Sequence, residues 1–159
     1  MRKRLSHYDS AGQVSMVDVS HKKTTMRTAT ARAFVAMSRH VIEALPNNTK
    51  GDPLEIARIA GINAAKKTSE LIPLCHQIPL THAGLECRAT ENGVEITATV
   101  KTAAQTGVEM EALTAASIAA LTIYDMTKAL DKAIKIREIY LVEKTGGKSG
   151  SFRRNSPQK

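Results

Sequence analysis

Three ionisable residues on one long helical segment are the first candidates for chemistry. Residues 107–132 read as a continuous helix. At about 100° per residue, Glu111, Asp125 and Lys128 fall within an arc of roughly 100° that Ala115, Ile118 and Leu121 share. An unpaired carboxylate on a core-facing stripe is costly, so acids placed there are usually paired or at work. Asp125 and Lys128, at i and i+3, adjoin on the helix surface. They form either a surface salt bridge worth roughly 0.5 kcal/mol or an acid–base pair in which each sets the other's protonation. Glu111 and Asp125 are separated by roughly 21 Å along the axis, at about 1.5 Å rise per residue. One helix cannot bring both to one small substrate. If both serve a site, each serves a different one, or a second subunit completes the set. Glu109 projects from another side of the helix and reads as solvated or as a cap.

Lys50 stands immediately before a helix start, Asp-Pro-Leu-Glu at 52–55, which offers an N-cap acid, a proline at the first helical position and a glutamate at the third. Free N–H groups at such a terminus favour anions, so Lys50 and this first turn form a candidate phosphate site, partly opposed by Asp52 and Glu55. The alternative is a solvated surface lysine. Thr-Gly-Gly-Lys-Ser at 145–149 ends like a P-loop, but Val142 stands where that motif needs glycine. What survives is either a flexible loop or a glycine turn offering backbone N–H groups, with Lys144, Lys148 and Ser149, to an anion. Cys75-His76, with His82 and Cys87 nearby, lacks the knuckle spacing of a zinc site, so no metal is expected. Neighbours in an extended segment point apart, which disfavours a Cys–His nucleophile pair. His76, in a loop stiffened by Pro73 and Pro79, is a better substrate contact, because imidazole donates to phosphate or base near neutral pH. Cys87 alternates inward on its strand and reads as core.

The elements that must position these groups follow from pattern. Residues 16–20 read as a short strand, 26–37 as a strand with loose period two, and 38–45 as a short helix stopping before Pro46. The helix opened by Asp52 runs to about Leu71, and a proline-bounded loop follows at 73–79. Alternation on both sides of Asn92-Gly93 predicts a hairpin. After the long helix comes a strand at about 134–143, with a phase slip after Ile136 that signals a bulge. Helices and strands alternate without a regular β-α-β rhythm, so the fold class is α+β, with helices on one face of a mainly antiparallel sheet.

At 159 residues the chain is most simply one domain, with residues of about 1–14 and 152–159 as flexible tails. Two cysteines are too few for a disulfide scaffold and fit a reducing compartment. No apolar run is long enough for a membrane span, and no hydrophobic region follows the basic start, so the cytoplasm is the expected location. The net charge of +8 fits a nucleic acid, an anionic small molecule or simple solubility. A nucleic-acid-binding module would explain the charge but not the acids of the long helix. With no Trp, two Phe and three Tyr, there is little aromatic surface for bases to stack on. A phosphate-rich small ligand fits better, whether it is turned over by an enzyme or held by a non-catalytic nucleotide-sensing oligomer.

Several long stretches closely resemble the MoaC family. They are Met-Val-Asp-Val-Ser at 16–20, Lys-Gly-Asp at 50–52, Ala-Arg-Ile-Ala-Gly at 57–61 and Leu-Ile-Pro-Leu-Cys-His at 71–76. Gly-Val-Glu-Met-Glu-Ala-Leu-Thr-Ala-Ala at 107–116, Ala-Leu-Thr-Ile-Tyr-Asp-Met at 120–126 and Gly-Gly-Lys-Ser-Gly at 146–150 complete the set. The resemblance runs in consistent order over roughly residues 14–152. It implies a ferredoxin-like sandwich and a homo-hexamer, a trimer of dimers, with active sites between subunits. It also implies a lyase of molybdenum cofactor biosynthesis. Its substrate would be a 3′,8-cyclised dihydro-GTP, rearranged to cyclic pyranopterin monophosphate with loss of diphosphate. On the matching motifs, Asp125 would be the catalytic acid/base with Lys128 beside it, and Lys50 a further catalytic residue among the basic groups around the nucleotide and phosphates. Leu74, Cys75, His76, Met110 and Glu111 would line the substrate pocket, and Arg27, Lys144 and Lys148 would surround the nucleotide and its phosphates. No resident cofactor is implied, and Mg²⁺ can accompany the triphosphate. Neither nucleic acid nor membrane is an expected partner.

Overall fold

The computed structural model describes residues 7–9, 11–148 and 150–155, so the basic start at 1–5 and Ser149 of the glycine loop lie outside the described residues. The chain order is β1 (Thr25–Ala36), α1 (Arg39–Ala44), α2 (Pro53–Lys66), α3 (Thr68–Leu71), β2 (Leu80–Thr90), β3 (Gly93–Ala104), α4 (Glu109–Thr127), β4 (Lys135–Thr145) and β5 (Phe152–Arg153). A 3₁₀ turn, Leu45–Asn47, follows α1 and takes Pro46 into its first turn. The five strands form one antiparallel sheet in the order β2-β3-β1-β4-β5. β3 is inserted between β1 and β2, and α4 returns the chain to the far side of β1. This is the split β-α-β arrangement of ferredoxin-like α+β folds, in agreement with the expected class.

The core lies between one sheet face and α2 with α4. Along β1, Ala29, Ala31, Ala33 and Val35 are buried, and along β3, Val94, Ile96, Ala98 and Val100. From above, α4 contributes Ala112, Ala115, Ala116, Ala119, Ala120 and Ile123. Alanine on alanine lets the helix approach the sheet closely, and alanine is also the best helix former. Gly61 of α2 is required where the helices meet, because a Cβ there would sit 2.9 Å from the Ala115 carbonyl oxygen and run into the Leu85 side chain.

Five expectations need correction. Residues 16–20 are not a strand: Asp18 Oδ1 accepts from the Ser20 N–H and the Lys22 N–H bonds to Val19, and these local turns compete with sheet pairing. The helix opened by Asp52 breaks at Lys67, where the Thr68 hydroxyl bonds back to the carbonyls of Ala64 and Ala65. The hairpin turn is Glu91-Asn92, with Gly93 already in β3 opposite Thr90, where only glycine fits because a Cβ would strike the Val35 carbonyl. The long helix stops at Thr127 rather than Lys132, and Asp131 then holds a turn through the Ala133 N–H. Phe152 and Arg153, expected to begin a tail, pair with Lys144 and Glu143 of β4.

The predicted bulge is present, and a second accompanies it. Arg32 faces Tyr140 while Phe34 faces Arg137, so β4 carries one extra residue there, and Glu138 takes the left-handed conformation at φ 59°. A further extra residue, Val142, lies between Leu141 opposite Ala31 and Glu143 opposite Thr30.

Candidate active site

The two ends of α4 hold the ionisable groups. At its N-terminal end, the segment between β3 and α4 and the turn after β4 enclose a cleft of about 650 Å³, a size suited to a small-molecule ligand. His21, Lys22, Lys23, Arg27, Lys144 and Lys148 bring basic groups to its wall, and Glu109 is the one carboxylate among the described residues that line it. Arg27 is fixed by two hydrogen bonds, from Nε to the Ala104 carbonyl (3.0 Å) and from Nη2 to the Gln105 carbonyl (3.1 Å). The glycine turn packs directly on it. Gly146 and Gly147 have φ of 90° and 78°, and a Cβ on Gly147 would collide with the Arg27 guanidinium. The glycines are therefore demanded both by backbone conformation and by space. The Lys144 ammonium bonds to Glu109 Oε1 at 2.7 Å, with both side chains three-quarters buried. Glu109 is thus neither solvated nor a simple cap.

A second cavity of about 190 Å³ adjoins the cleft, sharing Thr106, Gly107 and Glu109 with it. Leu74, Cys75, His76, Met110 and Glu111 line it. His76 Nε2 lies 2.7 Å from the Val17 carbonyl oxygen. A carbonyl only accepts, so Nε2 carries the proton in this contact. Glu111 is 4% exposed, and burial, reinforced by the neighbouring Glu109 charge, pushes its carboxyl up to about 7. Burial also raises the Cys75 thiol, with Glu111 adding to the effect. Cys87 is remote from this group. It packs against the core beneath α2, and burial pushes its thiol up to about 11.

At the other end of α4, Lys128 Nζ donates to Asp125 Oδ1 at 2.6 Å. Neither residue lies on the core face. Asp125, Lys128 and Leu121 are exposed, while the buried stripe passes instead through Ala119, Ile123 and Met126. The hydrogen bond and charge of Lys128 hold the Asp125 carboxyl below its ordinary value, and Lys50 pulls it further in the same direction. The same bond raises Lys128. The loop carrying Lys50 is tied to this end of α4 through Asn48, whose side chain bonds to the Lys50 N–H and the Met126 carbonyl. Lys50 does not form a phosphate site with the first turn of α2, because Asp52 Oδ1 already accepts from the Leu54 and Glu55 N–H groups.

The eleven residues singled out in the sequence thus fall into two groups. Arg27, Leu74, Cys75, His76, Met110, Glu111, Lys144 and Lys148 gather at the N-terminal end of α4, and Lys50, Asp125 and Lys128 at its C-terminal end. α4 runs unbroken between them, so within one chain they stay roughly 21 Å apart. Glu109 and the 21–23 stretch were not legible as site residues. The basic His-Lys-Lys run at 21–23 was the only signal for the latter, and Glu109 needed knowledge of where β4 ends.

Comparison with family models matches residues 16–147 to the MoaC family. Among curated relatives, the cyclic pyranopterin monophosphate synthase of Geobacillus kaustophilus is 53% identical over 159 residues, covering 95% of this chain and 97% of its own length. The protein of the same name from Nostoc sp. is 56% identical over 152 residues, covering 93% and 90%. That from Dinoroseobacter shibae is 55% identical over 152 residues, covering 93% and 96%.

Proposed function

This chain belongs to the MoaC family, and from that premise we propose that it performs the reaction its relatives' name describes. It is an enzyme of molybdenum cofactor biosynthesis, a phosphorus–oxygen lyase that forms cyclic pyranopterin monophosphate from 3′,8-cyclised dihydro-GTP and releases diphosphate. The observation that carries the mechanism is the division of labour along α4. One end offers a cationic cleft beside a nearly neutral carboxyl, and the other a hydrogen-bonded acid–ammonium pair.

Ring opening and reclosure need proton transfers. Asp125 is the acid/base and Lys128 its partner, with Lys50 the second cation beside the carboxylate. Attack of a ribose-derived hydroxyl on the first phosphorus builds charge on the departing diphosphate. Lys144, Lys148 and Arg27 stabilise that charge, and Arg27 is already locked in place by its two carbonyl contacts. His76, Cys75 and Leu74, with Met110 and Glu111, form the wall against the pterin-forming rings. Mg²⁺ would arrive with the triphosphate as part of the substrate, and no resident cofactor enters these steps.

A substrate cannot bridge roughly 21 Å of one helix, so the complete site joins the N-terminal end of one copy's α4 to the C-terminal end of another's. A homo-hexamer built as a trimer of dimers supplies that junction, and a cytoplasmic location accords with a nucleotide substrate. The test is anaerobic incubation with the cyclised dihydro-GTP, following cyclic pyranopterin monophosphate and diphosphate by mass spectrometry. Both products are expected together from the native chain. Asp125→Ala is expected to abolish them while light scattering shows an unchanged assembly. Binding without product in the native chain would leave only a nucleotide sensor, and turnover by Asp125→Ala would remove Asp125 from its role.

A further inference from the structure

Asn48, near the C-terminal end of α4, uses both its main-chain and its side-chain polar groups. Its N–H donates to the Leu45 carbonyl (3.4 Å), and its own carbonyl accepts from the Gly51 N–H (3.1 Å). Its side chain is half-buried. Oδ1 accepts from the Lys50 N–H at 2.9 Å, and Nδ2 donates to the Met126 carbonyl at 2.9 Å. The first of these side-chain bonds is an Asx turn, local to the loop. The second is of another kind, spanning 78 residues of sequence to the last turn of α4. Met126 is among the final carbonyls of that helix, which have no partner within it and gain from an outside donor. It is also the residue after Asp125 and two before Lys128.

We propose that Asn48 is a positioning residue, its amide tying the main chain of Lys50 to the helix turn that carries Asp125 and Lys128. The proposal rests on the acid–base centre assigned above and adds to it the part that sets its spacing. The chemistry of the amide explains why asparagine stands here. It offers an acceptor to one element and a donor to the other at the same time. Aspartate keeps the acceptor but turns a carboxylate oxygen toward a carbonyl at the negative end of a helix. Serine keeps a turn-forming acceptor and is too short to reach Met126. Gly51, with φ of 103°, and the Asp52 cap shape the rest of the loop without help from the amide. Asn48→Ser therefore cuts the cross-link and leaves the turn.

A lysine released from its place loses catalytic effect without leaving the protein, and misplacements of about 1 Å cost up to about 100-fold in rate. The experiment is steady-state turnover of the native chain, Asn48→Ser, Lys50→Ala and the double variant, with thermal unfolding of each. Asn48→Ser is expected to lower kcat by about 10-fold and to move KM by less than about 3-fold. In the Lys50→Ala background the same change is expected to cost less than about 2-fold, because its effect runs through Lys50. Unchanged kcat in Asn48→Ser beside an impaired Lys50→Ala would overturn the proposal alone. So would a loss that multiplies undiminished in the double variant. Native turnover in Lys50→Ala would instead break the acid–base centre and take the proposal with it. Should Asn48→Ser not fold, Asn48→Asp retains the turn, breaks the Met126 contact and is expected to show the same loss of kcat.

Discussion

The two ends of α4 tune their ionisable groups in opposite ways. At the N-terminal end, Glu111 is buried, and loss of water brings its carboxyl to about 7. At the C-terminal end, Asp125 and Lys128 are open to solvent, and each drives the other away from neutrality, the acid downward and the ammonium upward. The first environment is complete within one chain. The second is not, because efficient proton transfer near neutral pH needs both groups moved back toward it. Covering the pair with another surface does this, since desolvation raises a carboxyl and lowers an ammonium. On the proposed assembly, the exposed end is the half that a second copy would cover.

The comparison can be broken most decisively at Asp125. Asp125→Asn is expected to lower kcat by about 10²- to 10⁴-fold while the unfolding midpoint moves by less than about 2 °C, as befits an exposed pair. A large loss of stability would show that this end is structural after all. Arg27→Met should hit both properties. It deprives the Ala104 and Gln105 carbonyls of the Arg27 donor and is expected to cost about 1–3 kcal/mol in denaturant unfolding, with kcat lowered more than KM is raised.

Glu111→Gln sharpens the contrast through pH. A carboxyl at about 7 in the folded chain and near 4.5 when unfolded binds its proton more tightly in the fold. Its contribution to stability is full below about 4.5 and is lost as pH rises to about 7. The variant should therefore gain midpoint over the native chain across that window and hold the difference at pH 8. Scans at pH 5 and pH 8 that differ equally in both proteins would remove Glu111 as the cause. The smallest effect belongs to Glu109→Gln. It removes the carboxylate that competes for Lys144, and diphosphate is expected to bind about 2- to 5-fold more tightly by calorimetry.

Legibility in the sequence followed the range of the forces involved. The alternation along 94–100, the Asp52 cap and the slip after Ile136 are local signals, and the strands, the helix start and the bulge stand where those signals put them. The fold class followed from them. The same reasoning placed Asp125 on the core stripe, because helical phase alone does not say which arc of an alanine-rich helix meets the sheet. Ala112, Ala116, Ala119 and Ala120 decide it, and they look alike from every side. Grouping Lys50 with Asp125 depended on a contact between distant segments that no spacing encodes. The resemblance to a family supplied those residues, and the Asn48 bonds to the Lys50 N–H and the Met126 carbonyl show how the two segments are joined.

The paired bulges of β4 fix the electrical sign of the cleft. Side chains of a strand alternate between faces, so a single extra residue exchanges one face for the other along everything that follows. Ile136 faces the helices opposite Val35, and after the first bulge the odd-numbered Leu141 does so opposite Ala31. Were Val142 in step with its neighbours, Glu143 would come next on that face and meet Glu109 with like charge. The second bulge skips one place and delivers Lys144 opposite Ala29 instead, leaving Glu143 on the outer surface near Arg153. A parity of backbone residues, and no property of the lysine itself, turns a repulsive pair into an attractive one and puts a cation rather than a second carboxylate on the cleft wall.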